Sequence, residues 1–122
     1  MTPEDILNFI ELSPFVDGWE DYGLTQSDLA ALQICIMCSP RRGQVMVGTR
    51  SLRKMRFAPK DWNTGQRGSL RVCYVYFERY GVVLLCLVFK KGEMDNLSDR
   101  GKKAINRAIE RIELELTKKY GF

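Results

Sequence analysis

Leu70-Arg71-Val72-Cys73-Tyr74-Val75-Tyr76-Phe77, then Glu78-Arg79-Tyr80-Gly81, then Val82-Val83-Leu84-Leu85-Cys86-Leu87-Val88-Phe89 is the stretch on which the fold turns. Two runs rich in β-branched and aromatic residues flank a four-residue connection, the pattern of a hairpin. The second run is apolar throughout, as in a central strand covered on both faces. Upstream, Leu52 to Ala58 alternates, with Arg53, Met55 and Phe57 on one face and Leu52, Lys54 and Arg56 on the other, which adds a third strand and makes a meander. Downstream, Ser98 reads as an N-cap followed by Asp99, and Ile105, Ala108, Ile109, Ile112 and Leu116 place one apolar stripe along a helix ending near Lys118 and Lys119.

Closer to the start, Thr25 and Asp28 form a capping signal, and Leu29, Leu32 and Ile36 follow at helical spacing until Ser39-Pro40. Ile6 to Leu12 is too short for periodicity to separate strand from helical turn, and we read it as a strand. The expected fold is α+β: a small antiparallel β-sheet packed against N-terminal helices and a long C-terminal helix. At 122 residues the chain is long enough for one domain, 1–122, with a core that needs no metal or disulfide.

Charge is distributed unevenly over this frame. Residues 1–40 hold seven acids and no Lys or Arg, whereas 41–71 hold nine basic residues and one acid, Asp61, within a net charge of +4. Such a dense positive field suits a polyanion, because each contacted phosphate releases condensed counterions. In an antiparallel meander Arg56, Arg71, Lys90 and Lys91 all fall at one end of the sheet, beside the loop from Pro59 to Ser69 with its Thr64-Gly65-Gln66-Arg67-Gly68 segment. The acidic N-terminal segment either shields that cleft or balances its charge.

The chain contains no histidine, which removes the usual general base and the commonest metal ligand. Acids near the basic end are few (Asp61, Glu93 and Asp95), so a two-metal hydrolase is disfavoured. Cys35-x-x-Cys38 is half of a zinc-site pattern, but it lies among Leu29, Leu32 and Ile36, and Cys73 and Cys86 lie in strands. All four read as apolar core residues and free thiols, with no metal and no cofactor. The longest apolar run, Val82 to Phe89, is too short to span a bilayer, and the acidic start does not fit a secretory or transit peptide, so a cytoplasmic protein is expected.

What remains is cationic chemistry on RNA, which supplies its own 2′-hydroxyl nucleophile. Lys54, Arg56, Arg71 and Lys91 are the candidates for holding a scissile phosphate and stabilising the charge that develops on it. Lys54, crowded by Arg53 and Arg56, is the candidate base, since neighbouring cations favour a neutral amine. Arg53, Lys60, Arg67 and Lys90 are candidate RNA contacts, and Tyr74 and Tyr76, on one strand face, either stack on bases or pack in the core. By composition alone, simple nucleic-acid binding outranks catalysis.

The ordered elements Leu52-Arg53-Lys54-Met55-Arg56, Arg71-Val72-Cys73-Tyr74 and Lys91-Gly92-Glu93-Met94-Asp95-Asn96-Leu97 resemble the RelE superfamily of bacterial toxins, nearest its HigB-like branch, over nearly the whole chain from about Glu11. The resemblance implies a RelE-like α+β domain acting as a ribosome-dependent endoribonuclease on mRNA. It also implies partners, the ribosome with its mRNA and a cognate antitoxin of a type II toxin–antitoxin system, and no membrane. By position, Lys54 and Arg56 match the family's basic pair, Arg71 its strand arginine and Lys91 the lysine before the turn acid Glu93. Gly92 and Ser98 depart from it, standing where some relatives carry a cationic or amide side chain and a catalytic tyrosine. The alternatives are a gyrase-directed toxin that cleaves no RNA and a degenerate protein that only binds RNA or antitoxin.

Overall fold

The computed structural model describes residues 6–60, 69–93 and 97–121. Its elements run β1 (Asn8–Glu11), α1 (Ser13–Asp21), α2 (Gln26–Cys38), β2 (Gln44–Val45), β3 (Arg53–Phe57), β4 (Leu70–Phe77), a 3₁₀ turn (Glu78–Tyr80), β5 (Val82–Lys90) and α3 (Asp99–Tyr120). The sheet order is β1-β5-β4-β3-β2. From β2 to β5 every pairing is antiparallel, which is the expected meander extended by the two residues of β2. β1 is the strand read at Ile6 to Leu12, and it adds to the far side of β5 in parallel, so the sheet is mixed.

The sheet separates two cores. Alternate residues Leu70, Val72 and Tyr74 of β4 join Met55, Phe57, Val83, Leu85 and Val88 beneath α1 and α2, which contribute Phe15, Trp19, Leu29, Leu32 and Ile36. The intervening Cys73, Val75 and Phe77 join Leu52, Leu84, Cys86 and Phe89 beneath the α3 stripe Ile105, Ile109 and Leu116. With a core on each side, β5 is buried at seven of its nine positions, which is why its sequence shows no alternation.

Local signals place the helices. Thr25 and Asp28 form a reciprocal capping box: the Asp28 amide donates to Thr25 Oγ1 at 3.1 Å and the Thr25 amide to Asp28 Oδ2 at 2.9 Å. Ser98 caps α3 by accepting from the Gly101 amide at 3.0 Å, so this serine has a structural reason to be where it is. α1 is held by Phe15 and Trp19, one turn apart, with Trp19 stacked between Phe15 and Phe57 at centroid distances of 5.3 and 6.2 Å. Gly18 lets α1 lie directly on β5: a Cβ there would meet Val88 Cγ1 at 2.9 Å and Val88 O at 3.0 Å.

The cysteines divide. Cys73 and Cys86 are buried core residues, as expected; burial pushes the Cys73 thiol up to about 12 and the Cys86 thiol up as well. Cys35 is only half-buried and Cys38 is exposed, which corrects their reading as core residues. The reason is that Leu29, Leu32 and Ile36 alone turn inward, leaving α2 apolar on its outer side too, with Ile34 exposed. Among the described residues no cluster of three or more His, Cys, Asp or Glu side chains could hold a metal ion, and no helix is long and apolar enough to cross a membrane.

Candidate nucleic-acid interface

Strand register builds the site. Arg56 lies directly opposite Arg71, which lies opposite Phe89 at the end of β5; one row along, Gln44 lies opposite Lys54, which lies opposite Cys73. Residues paired across an antiparallel sheet project from the same face with Cβ atoms about 4.5–5.5 Å apart. Lys54, Arg56 and Arg71 therefore stand together on the α3 side of the sheet. There they line a cavity of about 680 Å³ with Arg42, Gln44, Met55 and Lys91. All four candidates for phosphate chemistry are brought into one place, and none of the described lining residues is acidic.

Arg71 is the most constrained of them. It is only 9% exposed, and its Nη1 donates to the Ser69 carbonyl at 3.2 Å and to Ser69 Oγ at 2.9 Å, both uncharged acceptors. Among the described residues no ion pair includes Arg71. A guanidinium held this far from water normally faces a carboxylate or other anion, because desolvating a charge without a counter-charge is costly. Here the cavity is what it faces.

Lys91 reaches the cavity through the turn that follows β5. Glu93 N donates to Lys90 O at 3.1 Å, and Gly92 sits at φ +91°, in the left-handed region that glycine takes without strain. The Tyr22 hydroxyl, at the C-terminal end of α1, donates to the Glu93 carboxylate and accepts from the Lys90 amide at 3.2 Å, while Lys90 Nζ lies 5.3 Å from the centre of the Tyr22 ring. Burial and then the bond to Glu93 raise the Tyr22 pKa. The turn thus sorts its charges: Glu93 and Lys90 are engaged by Tyr22 on the α1 side, and Lys91 lines the cavity.

Other predicted contacts fall elsewhere. Tyr74 cannot stack on a base: it is fully buried, donates from its hydroxyl to Pro40 O at 2.8 Å and accepts from the Gly43 amide at 3.4 Å. Tyr76 is half-buried at the opposite end of β4, where its neighbours are Thr49, Arg50 and Glu113, so it is not part of this cavity. Arg53 points to the other face of β3, its Nη1 donating to Arg41 O at 2.9 Å and Gly43 O at 2.7 Å, and serves to pin the chain entering β2. Lys60 is exposed, and Arg67, with residues 61–68 and 94–96 including Asp61 and Asp95, lies outside the described residues.

Two cavity residues escaped sequence reasoning. Arg42 and Gln44 become neighbours of Lys54 only through the β2–β3 pairing, and a two-residue strand has no periodicity to detect. Arg42 also donates to Cys35 Sγ at 3.6 Å. The basic cluster further loses Arg41 and Arg50, which pair with Glu78 and Glu113. No family model matches the chain.

Proposed function

We propose that this protein is a ribosome-dependent mRNA endoribonuclease, a toxin resembling the HigB-like branch of the RelE superfamily and neutralised by a cognate antitoxin. The observation that carries the reading is the buried Arg71 with Arg42, Lys54, Arg56 and Lys91 around one cavity without a described acid. Like charges directly opposed across strands, as Arg56 and Arg71 are, destabilise the sheet. A phosphodiester matches both the charge of this pair and the forked donors of arginine.

In the proposed reaction, Arg56, Arg71 and Lys91 hold the scissile phosphate and stabilise the extra negative charge as the ribose 2′-oxygen adds to phosphorus. Lys54, as the neutral amine, takes the 2′-hydroxyl proton and becomes the ammonium. The P–O5′ bond breaks, the 5′-oxygen receives a proton from a cationic neighbour, and the products are a 2′,3′-cyclic phosphate and a 5′-hydroxyl. The test is cell-free translation of a defined message with mapping of its 5′ ends: new ribosome-dependent ends that vanish with Arg71→Ala support the reading, and an intact message from a growth-arresting protein overturns it.

A second reading, a non-catalytic toxin or interaction protein on the same fold, is favoured by one observation. Among the described residues the cavity offers no carboxylate or phenol for proton transfer. Binding of RNA without cleavage in the same assay would select it.

A further inference from the structure

Where the β2 edge meets the beginning of α3, a smaller cavity of about 260 Å³ lies beside the cationic one. The two share Gln44 and Lys54 in their walls. Otherwise they differ in kind. The larger is walled by arginine and lysine, the smaller by Met46, Val47 and Leu97 together with Lys102. Val47 is 88% exposed, so an apolar side chain is left in water next to the most cationic cavity described. A single exposed valine means little, but apolar groups walling a cavity contiguous with an anion site ask for a ligand with both characters.

A nucleotide has both. Its phosphate is an anion, and a few bonds away its base presents flat apolar faces and a hydrogen-bonding edge. A volume just below the roughly 300–1,000 Å³ of sites for drug-sized molecules suits one heterocycle better than a whole nucleotide. We propose that the smaller cavity is the subsite for the RNA base next to the phosphate held by Arg56 and Arg71. Met46, Val47 and Leu97 pack on the face of the base, and the Gln44 amide, which both donates and accepts, bonds its edge. Lys54, common to both walls, lies at the ribose between them. The inference rests on the RNA reading above and goes beyond it in giving the base its own place and Gln44 the choice among bases.

The experiment compares adenosine 5′-monophosphate with ribose 5-phosphate, titrated into the methyl-labelled full chain and followed by NMR. The nucleotide is expected to shift the methyl signals of Met46, Val47 and Leu97 and to bind about 3–10-fold more tightly, the range expected for covering a few apolar groups. Val47→Ser, at an exposed position that the fold does not depend on, should bring the two affinities together. Equal affinities in the parent protein with silent methyls would overturn the base subsite while leaving the phosphate site standing. Binding of neither compound would remove both the subsite and the RNA reading beneath it.

Discussion

Along β3, Phe57 disappears into the core beneath α1 and α2, while Lys54 and Arg56 line a cationic cavity from the opposite face; Met55, between them, belongs to that core and also borders the cavity. The same contrast runs along β4, where Leu70 and Val72 pack under the helices and Arg71 faces the cavity. The two-residue period of a strand thus lets adjacent positions carry opposite duties. One face supplies apolar burial and stability; the end of the other gathers cations. Phe57 and Arg56, a single step apart along the chain, take these two roles.

The largest expected effect lies on the cavity face. Arg71→Ala or Lys54→Ala should reduce the proposed RNA cleavage by about 100-fold or more, the usual cost of removing a transition-state donor or a proton-transfer group. Urea unfolding of Lys54→Ala should stay close to that of the parent, since Lys54 lines the cavity and belongs to neither core. Equal growth arrest by both variants would contradict the site.

On the opposite face the effects should reverse. Phe15 is fully buried and stacks on Trp19, so Phe15→Ala should cost about 3–5 kcal/mol of stability in urea titrations, as large aromatic truncations do. At a temperature where the variant remains folded, its cleavage rate per folded molecule should hardly change.

Tyr22 joins the two faces, and Tyr22→Phe should give an intermediate result: a loss of about 1 kcal/mol for the hydrogen bond and a severalfold fall in cleavage as the turn bearing Lys91 loosens. Its pKa is raised in the fold, so its contribution is complete below the ordinary value of 10.0 and disappears as pH climbs through the raised one. A stability profile between neutral and strongly alkaline pH should therefore lose one titrating step in Tyr22→Phe. The smallest effect belongs to Cys38, exposed on α2: Cys38→Ser should change stability by less than about 0.5 kcal/mol. In mass spectra Cys38 should alkylate well before Cys73, whose thiol burial holds up to about 12.

The meander, α3 and the start of α2 were legible because each carries a local signal: apolar runs on either side of a short turn, a capping serine before an amphipathic stripe, and a capping box. Antiparallel geometry brought Arg56, Arg71 and Lys91 to one end of the sheet but did not foretell the turning of Lys90 toward Tyr22, and Lys54 was singled out by its cationic neighbours. Tyr74 stayed open between stacking and packing because a buried tyrosine and an exposed one look alike in a strand; its bonds to Pro40 and Gly43 decide for packing. α1 was hard to place because two aromatic anchors, a proline and a glycine leave little pattern in nine residues. Arg42 and Gln44 belong to the site through a pairing too short to announce itself.

The parallel pairing of β1 with β5 has a consequence for how the molecule comes into being. Asn8 meets Val82 and Glu11 meets Leu85, so β1 leaves the ribosome roughly seventy residues before its partner, a wait of several seconds at about 5–20 residues per second. During refolding the local β4–β5 hairpin should close before this distant contact, since long loops are slower to form. Until it does, β5 presents an open edge of almost uninterrupted apolar sequence, the kind of edge that recruits other chains. Pulse-labelled hydrogen exchange should find β1 protected after β4 and β5. The seating of β1 should therefore close the edge through which this protein would otherwise self-associate.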